Sequence, residues 1–318
     1  MKLTFEKIKE ITVGAVEMWK EADGLHFGKC TKEQVDEWKK ESEELYNNAL
    51  ATTGVRLEFY TDSTFMRIEL SSAGKYEVKV DGVFKEQFNL PQDIEKKEIA
   101  LNLGERGKEK HVLFTLPSHR NAGVIASVEI DDGAYVKPHK FDRKILFVGD
   151  SITQGYNSTY DLCSYAYQIS DYFNADSVIQ GIGGAFFAPK TVLPTGYNPD
   201  IVFIAFGTNE FALLKTLGEL EKNAREYIEK IQALYKGAKF FFISPVWRMD
   251  ENQPQKMGTF KECCDCLKKL AGDLGVEVVD GDKMLPKIPA FMADHVHPND
   301  LGFSMYALNL LKELKGRI

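Results

Sequence analysis

The period of the hydropathy pattern changes once along this chain, near Pro138, and that change restricts the possible folds more than any other feature. From about Val55 to Val136 apolar and polar residues alternate. Met66, Ile68 and Leu70 enclose Arg67 and Glu69; Tyr76, Val78 and Val80 enclose Glu77 and Lys79. Residues 98–103, 111–116 and 124–130 continue the pattern, with Asp81-Gly82 and Asp132-Gly133 as punctuation. A period of two with turn signals between runs predicts antiparallel strands with one wet face. Several in succession predict a small β-sandwich of the jelly-roll kind. Beyond Pro138 the alternation stops. Residues 145–148, 177–180, 201–206, 240–244 and 276–279 form short apolar runs, and helix-like stretches occupy 164–172, 215–234, 256–274 and 301–314. Buried strands alternating with helices predict a parallel sheet covered on both faces. The expected division is residues 1–140 as an antiparallel β-sandwich domain and 141–318 as an α/β domain. Within the first fifty residues, 32–50 reads as an exposed helix and 12–18 as a strand joining the sandwich.

With 318 residues, 44% of them hydrophobic, the chain is long and apolar enough for two domains with substantial cores. Forty Lys and Arg against 47 Asp and Glu give a charge of −7, which supports no nucleic-acid or anionic-membrane partner. The first fourteen residues scatter charge among apolar positions and no run approaches a membrane span, so a cytoplasmic protein is expected. The five cysteines are then read as reduced thiols. Cys263, Cys264 and Cys266 invite a zinc hypothesis. Their segment reads as a helix, however, on which Cys263 and Cys264 point about 100° apart, and no histidine stands nearby. No metal or cofactor is expected.

Four segments carry chemistry. Ser151, in Gly149-Asp150-Ser151-Ile152-Thr153, follows the first buried strand of the second half, where side chains converge in an open α/β sheet. The same position suits a nucleophile, a helix cap or a phosphate-binding loop. Asp294 and His297 are three residues apart, so one turn places carboxylate and imidazole on one face. An aspartate on Nδ1 fixes the tautomer and leaves Nε2 free to accept a serine proton. His295, adjacent to Asp294, points elsewhere in such a turn. Residues 181–184 follow the second buried strand and contain three glycines, which suit close approach of a backbone N–H to a ligand or a tight turn. Asn209 follows the third, where its amide suits an oxyanion or a bond to its own loop.

In this order the four blocks resemble the SGNH hydrolases, also called the GDSL esterase/lipase family, over residues 143–318. The resemblance implies a three-layer, flavodoxin-like α/β/α domain. It assigns Ser151 as nucleophile, Asp294 as orienting acid and His297 as general base. The oxyanion donors it implies are the Ser151 and Gly184 N–H groups and the Asn209 amide. Three positions depart from the family pattern: Glu210 stands where Asp is commoner, Ile179 where Asn is frequent, and His295 where Gly is common. Residues 55–62 and 65–70 resemble the sandwich that precedes the SGNH domain in carbohydrate-esterase-like members.

The resemblance implies a serine esterase acting on small acyl esters through an acyl-serine, its substrate a small-molecule ester such as an acetylated sugar. Trp247 is expected to contact that substrate, with Tyr156, Phe186 and Phe187 near the strand ends. Packing beneath the site is an equal reading for the two phenylalanines. Three other classes compete: a non-catalytic glycan-binding protein with a degenerate site, a lipase or thioesterase, and a nucleotide-binding flavodoxin-like domain. The last lacks the Lys-Ser/Thr of a P-loop and the GxGxxG spacing. A long-chain lipase lacks a lid-like amphipathic segment.

Overall fold

The computed structural model describes residues 1–318. Its first 138 residues supply strands β1 (Thr12–Val13), β2 (Glu17–Lys20), β3 (Leu25–Gly28), β4 (Arg56–Thr61), β5 (Phe65–Leu70), β6 (Gly74–Val80), β7 (Val83–Leu90), β8 (Lys97–Asn102), β9 (Lys110–Thr115), β10 (Val124–Ile130) and β11 (Lys137–Pro138). They form two antiparallel sheets, one ordered β1-β4-β9-β6-β7 with β11 added on β4, the other β2-β3-β10-β5-β8. The inward residues of the alternating runs, among them Leu57, Phe59, Ile68, Val78, Phe114 and Ile125, form the cluster between the sheets. Strand β7 was not legible from periodicity. It is an edge strand exposed along most of its length, so no buried face enforces alternation. The β6–β7 hairpin turns at Asp81-Gly82 with φ of +52° and +75°, the left-handed pair that a two-residue type I′ turn demands.

Strands β12 (Arg143–Gly149), β13 (Ala175–Gly181), β14 (Ile201–Ala205), β15 (Lys239–Ile243) and β16 (Glu277–Val279) form a parallel sheet ordered β13-β12-β14-β15-β16. This is the flavodoxin-like order. On β12, Leu146 and Val148 enter one apolar cluster while Ile145 and Phe147 enter the cluster on the opposite face. Burial on both faces is why this run shows no alternation. Helices α1 (Phe5–Glu10), α2 (Lys32–Glu41) and α3 (Glu43–Leu50) come from the first fifty residues. The second half adds α4 (Ser151–Gln154), α5 (Tyr165–Tyr172), α6 (Thr208–Leu213), α7 (Leu217–Leu234), α8 (Phe260–Asp273) and α9 (Asp300–Leu314). No helix is long and apolar enough to cross a membrane. Cys263 is buried on α8, whereas Cys264 and Cys266 are half-buried.

Two expectations for the first fifty residues are corrected. Segment 32–50 is not one exposed helix. It breaks at Ser42, which ends α2 and caps α3, and Val35, Trp38, Leu45 and Ala49 pack in the same cluster as Leu146 and Val148. This hairpin therefore helps cover one face of the parallel sheet, and a division of the chain at residue 140 separates the sheets but not the packing units. Segment 12–18 is likewise split, β1 pairing with β4 and β2 with β3 in the other sheet.

The junction between halves is polar. Lys29 is fully buried and its Nζ donates to Asn48 O (3.0 Å), Thr53 Oγ1 (2.8 Å) and Gly181 O (2.8 Å), using every donor of an ammonium. Burial pushes its pKa down to about 7. Arg56 binds Glu58 at 2.6 Å and reaches Ala175 O at 3.4 Å.

Gly149 and Gly181 face each other across β12 and β13. A Cβ on Gly181 would lie 2.2 Å from Gln154 N, and one on Gly149 would lie 2.1 Å from Thr153 Oγ1. These two bare Cα atoms let α4 sit against the sheet at the end of β12. Gly181→Ala should therefore lower stability by about 3 kcal/mol, because backbone rather than a flexible side chain must give way. A shift in the urea midpoint measures this; a midpoint within about 0.5 kcal/mol of wild type would show that α4 can move aside.

Candidate active site

Ser151 opens α4, two residues past the end of β12. Asp150 caps this short helix, accepting from Ile152 N at 2.9 Å, and Gly155 ends it with φ +80°. Ser151 Oγ–H donates to His297 Nε2 at 2.7 Å, and His297 Nδ1–H donates to Asp294 Oδ2 at 2.8 Å. Asp294 Oδ1 also accepts the Val296 and His297 backbone N–H groups, at 2.8 and 2.7 Å. Burial acts to raise the Asp294 pKa, but the donors from His297 and Val296 together hold it below the ordinary value. The ionised carboxylate is the form that fixes the imidazole. The Tyr156 ring lies 4.9 Å from that of His297. His295 is exposed, and its carbonyl accepts from Met249 N. The structure thus brings Ser151, Asp294 and His297 together and leaves His295 outside.

The sheet order puts β13 and β14 on either side of β12, so the glycine and asparagine loops flank Ser151. Gly184 is exposed with φ +80°, and no hydrogen bond within the protein uses its N–H. Asn209 Nδ2 donates to Ala185 O at 2.8 Å, which orients the amide and leaves its second N–H available. Glu210, the departure from the family pattern, joins the same two loops: its carboxylate accepts Phe187 N at 2.7 Å and Gly207 N at 2.9 Å. Burial pushes Glu210 up to about 7, opposed by these N–H donors. Asp150 is likewise pushed up to about 7 by burial.

Residues that the sequence did not single out hold this arrangement. Asn157, at φ +68°, donates through Nδ2 to Asp294 Oδ2 at 2.7 Å. Asparagine tolerates this left-handed conformation better than most residues. The loop carrying Asn157 is pinned by the sandwich: Lys75 Nζ donates to Ser158 O (2.9 Å) and Thr159 O (3.0 Å), and Gln87 Nε2 donates to Thr159 O (2.9 Å). Glu77 accepts Asp161 N at 2.7 Å and Leu162 N at 3.0 Å. In sequence Glu77 reads as the wet member of an alternating strand, yet it is fully buried because the second half covers that face. On the glycine loop, Asn48 Nδ2 donates to Gly183 O at 2.9 Å.

Trp247 does not meet its expected role. It is 7% exposed and packs in the apolar cluster on the α5–α9 face with Val246, Met284 and Met292, so it presents no stacking face. Phe187 is also core, and Phe186 packs edge-on against Trp38 with centroids 6.0 Å apart.

A flavodoxin-like sheet carrying a serine, a histidine and an aspartate at its strand ends defines an acylhydrolase of the SGNH superfamily. Residues 147–304 match the GDSL-like lipase/acylhydrolase family, and the chain belongs to it as an ester hydrolase. No curated protein sequence matches it. A salicylyl-acyltransferase from a tetracycline biosynthetic pathway superposes with a TM-score of 0.81 at 18% identity, over 96% of this chain and 94% of its own. A family two carbohydrate esterase from Cellvibrio japonicus gives 0.69 at 14% identity, over 96% and 94%. A family two carbohydrate esterase from Clostridium thermocellum, in complex with cellohexaose, gives 0.67 at 18%, over 83% and 93%. At these identities the likeness is one of fold.

Two outcomes follow from the geometry. Asn157→Ala should lower kcat about tenfold, since it removes one bond to the charged Asp294; steady-state kinetics check this, and an unchanged kcat would remove Asn157 from the relay. Glu210 ordinarily titrates near 4.5 and in the fold near 7, so the folded chain holds the extra proton between these values. Stability from this group falls as pH rises through that window and is flat above it. Glu210→Gln should flatten the change in urea midpoint between pH 5 and 8 by the equivalent of about 2–3 kcal/mol.

Proposed function

We propose that this protein is a serine esterase that removes small acyl groups, acetyl foremost, from a carbohydrate. The observation that carries the reading is the unbroken relay from Ser151 Oγ through His297 to Asp294, with links of 2.7 and 2.8 Å. His297 Nε2 takes the proton as Ser151 Oγ attacks the ester carbonyl. The developing oxyanion is received by the Ser151 and Gly184 N–H groups and the free N–H of Asn209. Collapse expels the alcohol, protonated by His297, and leaves an acyl-serine. Water, deprotonated by the same imidazole, releases the acid and restores Ser151. Asp294 holds the ring and offsets the imidazolium charge throughout. The chemistry draws on the chain's own side chains and backbone N–H groups. The family two carbohydrate esterases among the structural relatives support a carbohydrate ester as substrate class.

Hydrolysis of p-nitrophenyl acetate, butyrate and octanoate by wild type and variants tests this. Acetate should be preferred. Ser151→Ala and His297→Ala should each reduce turnover by roughly 10⁴ or more, and Asn209→Ala by about 10²–10³. Activity that survives Ser151→Ala would place the chemistry elsewhere and bring forward the glycan-binding reading.

A further inference from the structure

Beside Gly184 the surface opens into a groove of about 550 Å³ lined by Glu44, Asn47, Asn48 and Arg120, with no apolar side chain among them. All four come from the N-terminal half, the first three from α3 and Arg120 from the loop after β9. The groove adjoins the candidate oxyanion loop directly. Asn48 Nδ2 donates to Gly183 O, and a Cβ on Gly184 would meet Leu45 of α3 at 3.6 Å.

At the rim, Arg120 is held at φ +55°, a conformation that few residues other than Gly and Asn adopt without strain. Its guanidinium meets only Glu44, at 3.8 Å with both side chains largely exposed, and donates no hydrogen bond within the protein. Neither charge is committed elsewhere.

We propose that this groove binds the alcohol part of the ester and that this alcohol is polyhydroxylated, with Arg120, Glu44, Asn47 and Asn48 reading its hydroxyls. The assignment rests on the esterase reading above. A polar lining offers nothing to an alkyl chain, whereas each sugar hydroxyl needs the mixed donors and acceptors found here. The N-terminal half thus supplies substrate selectivity as well as support.

The test compares kcat/KM for xylose tetraacetate and p-nitrophenyl acetate, using the full chain as wild type, Arg120→Gly, Arg120→Lys and Asn47→Ala. Glycine adopts φ +55° freely, so Arg120→Gly removes the guanidinium while relieving the backbone, and its melting temperature should equal or exceed that of wild type. The sugar-ester to phenyl-ester ratio should fall at least tenfold in Arg120→Gly, mainly through KM, with Arg120→Lys between the two. A ratio that stays at the wild-type value in all three variants, while Ser151-dependent deacetylation of the sugar persists, overturns the groove and leaves the esterase standing. Loss of Ser151-dependent activity on both esters even in wild type overturns the esterase reading itself.

Discussion

The close approach of α4 to β13 is the constraint on which the rest of the site depends. Because Gly149 and Gly181 carry no Cβ, the turn bearing Ser151 lies flat against the neighbouring strand rather than above it. The position of Ser151 is then set by the backbone of the sheet. The loops after β13 and β14 begin beside it, and the Asn209–Ala185 and Glu210 bonds close them on each other across the end of β12. A serine on a longer or looser turn would require each loop to be placed independently. Here one packing contact orders all three.

The N-terminal half is built into this arrangement at two points. From one side, Lys29 and Asn48 hold the carbonyls of Gly181 and Gly183. From the other, Glu77, Lys75 and Gln87 hold the loop that presents Asn157 to Asp294. The sandwich is therefore not a module hung on an independent enzyme. The helical hairpin α2–α3 makes the same point in apolar terms, since Trp38 and Ala49 cover residues of the parallel sheet that would otherwise face water.

What the sequence disclosed, and what it did not, follows from the range of the interactions. The strands and helices of the second half were legible because burial on two faces leaves unbroken apolar runs, and the five strands fall where those runs predicted. Ser151 and the Asp294–His297 pair were legible because a strand end or a single turn defines their geometry locally. Glu77 was not. Its burial arises from a surface more than eighty residues away, and within its own strand it looks solvated. Asn157 had only its residue type to mark it. Trp247 misled for the converse reason, since an aromatic near a strand end reads the same from sequence whether it faces the cleft or the core. The segment 32–50 was recognised as helical, but its amphipathic pattern could not say which surface it would cover.

The charges buried beneath the two loops vary with pH in opposite senses. Asp150 and Glu210 are pushed up to about 7 by burial, so their unfavourable contribution grows as pH rises out of the ordinary carboxylate range and is complete above 7. Lys29 is pushed down to about 7, so its contribution grows as pH falls from the ordinary 10.5 and is complete below 7. The two costs overlap at neutral pH. Apolar replacements of similar volume would relieve them, yet each group has its partners filled: three acceptors for Lys29, two backbone N–H donors for Glu210. Removing one would release Gly181 from Asn48, or Phe187 from Gly207, and leave buried backbone groups unpaired. What these residues contribute is the fixed spacing of the loops around Ser151, and the apolar clusters on both faces of the sheet offset the stability they cost.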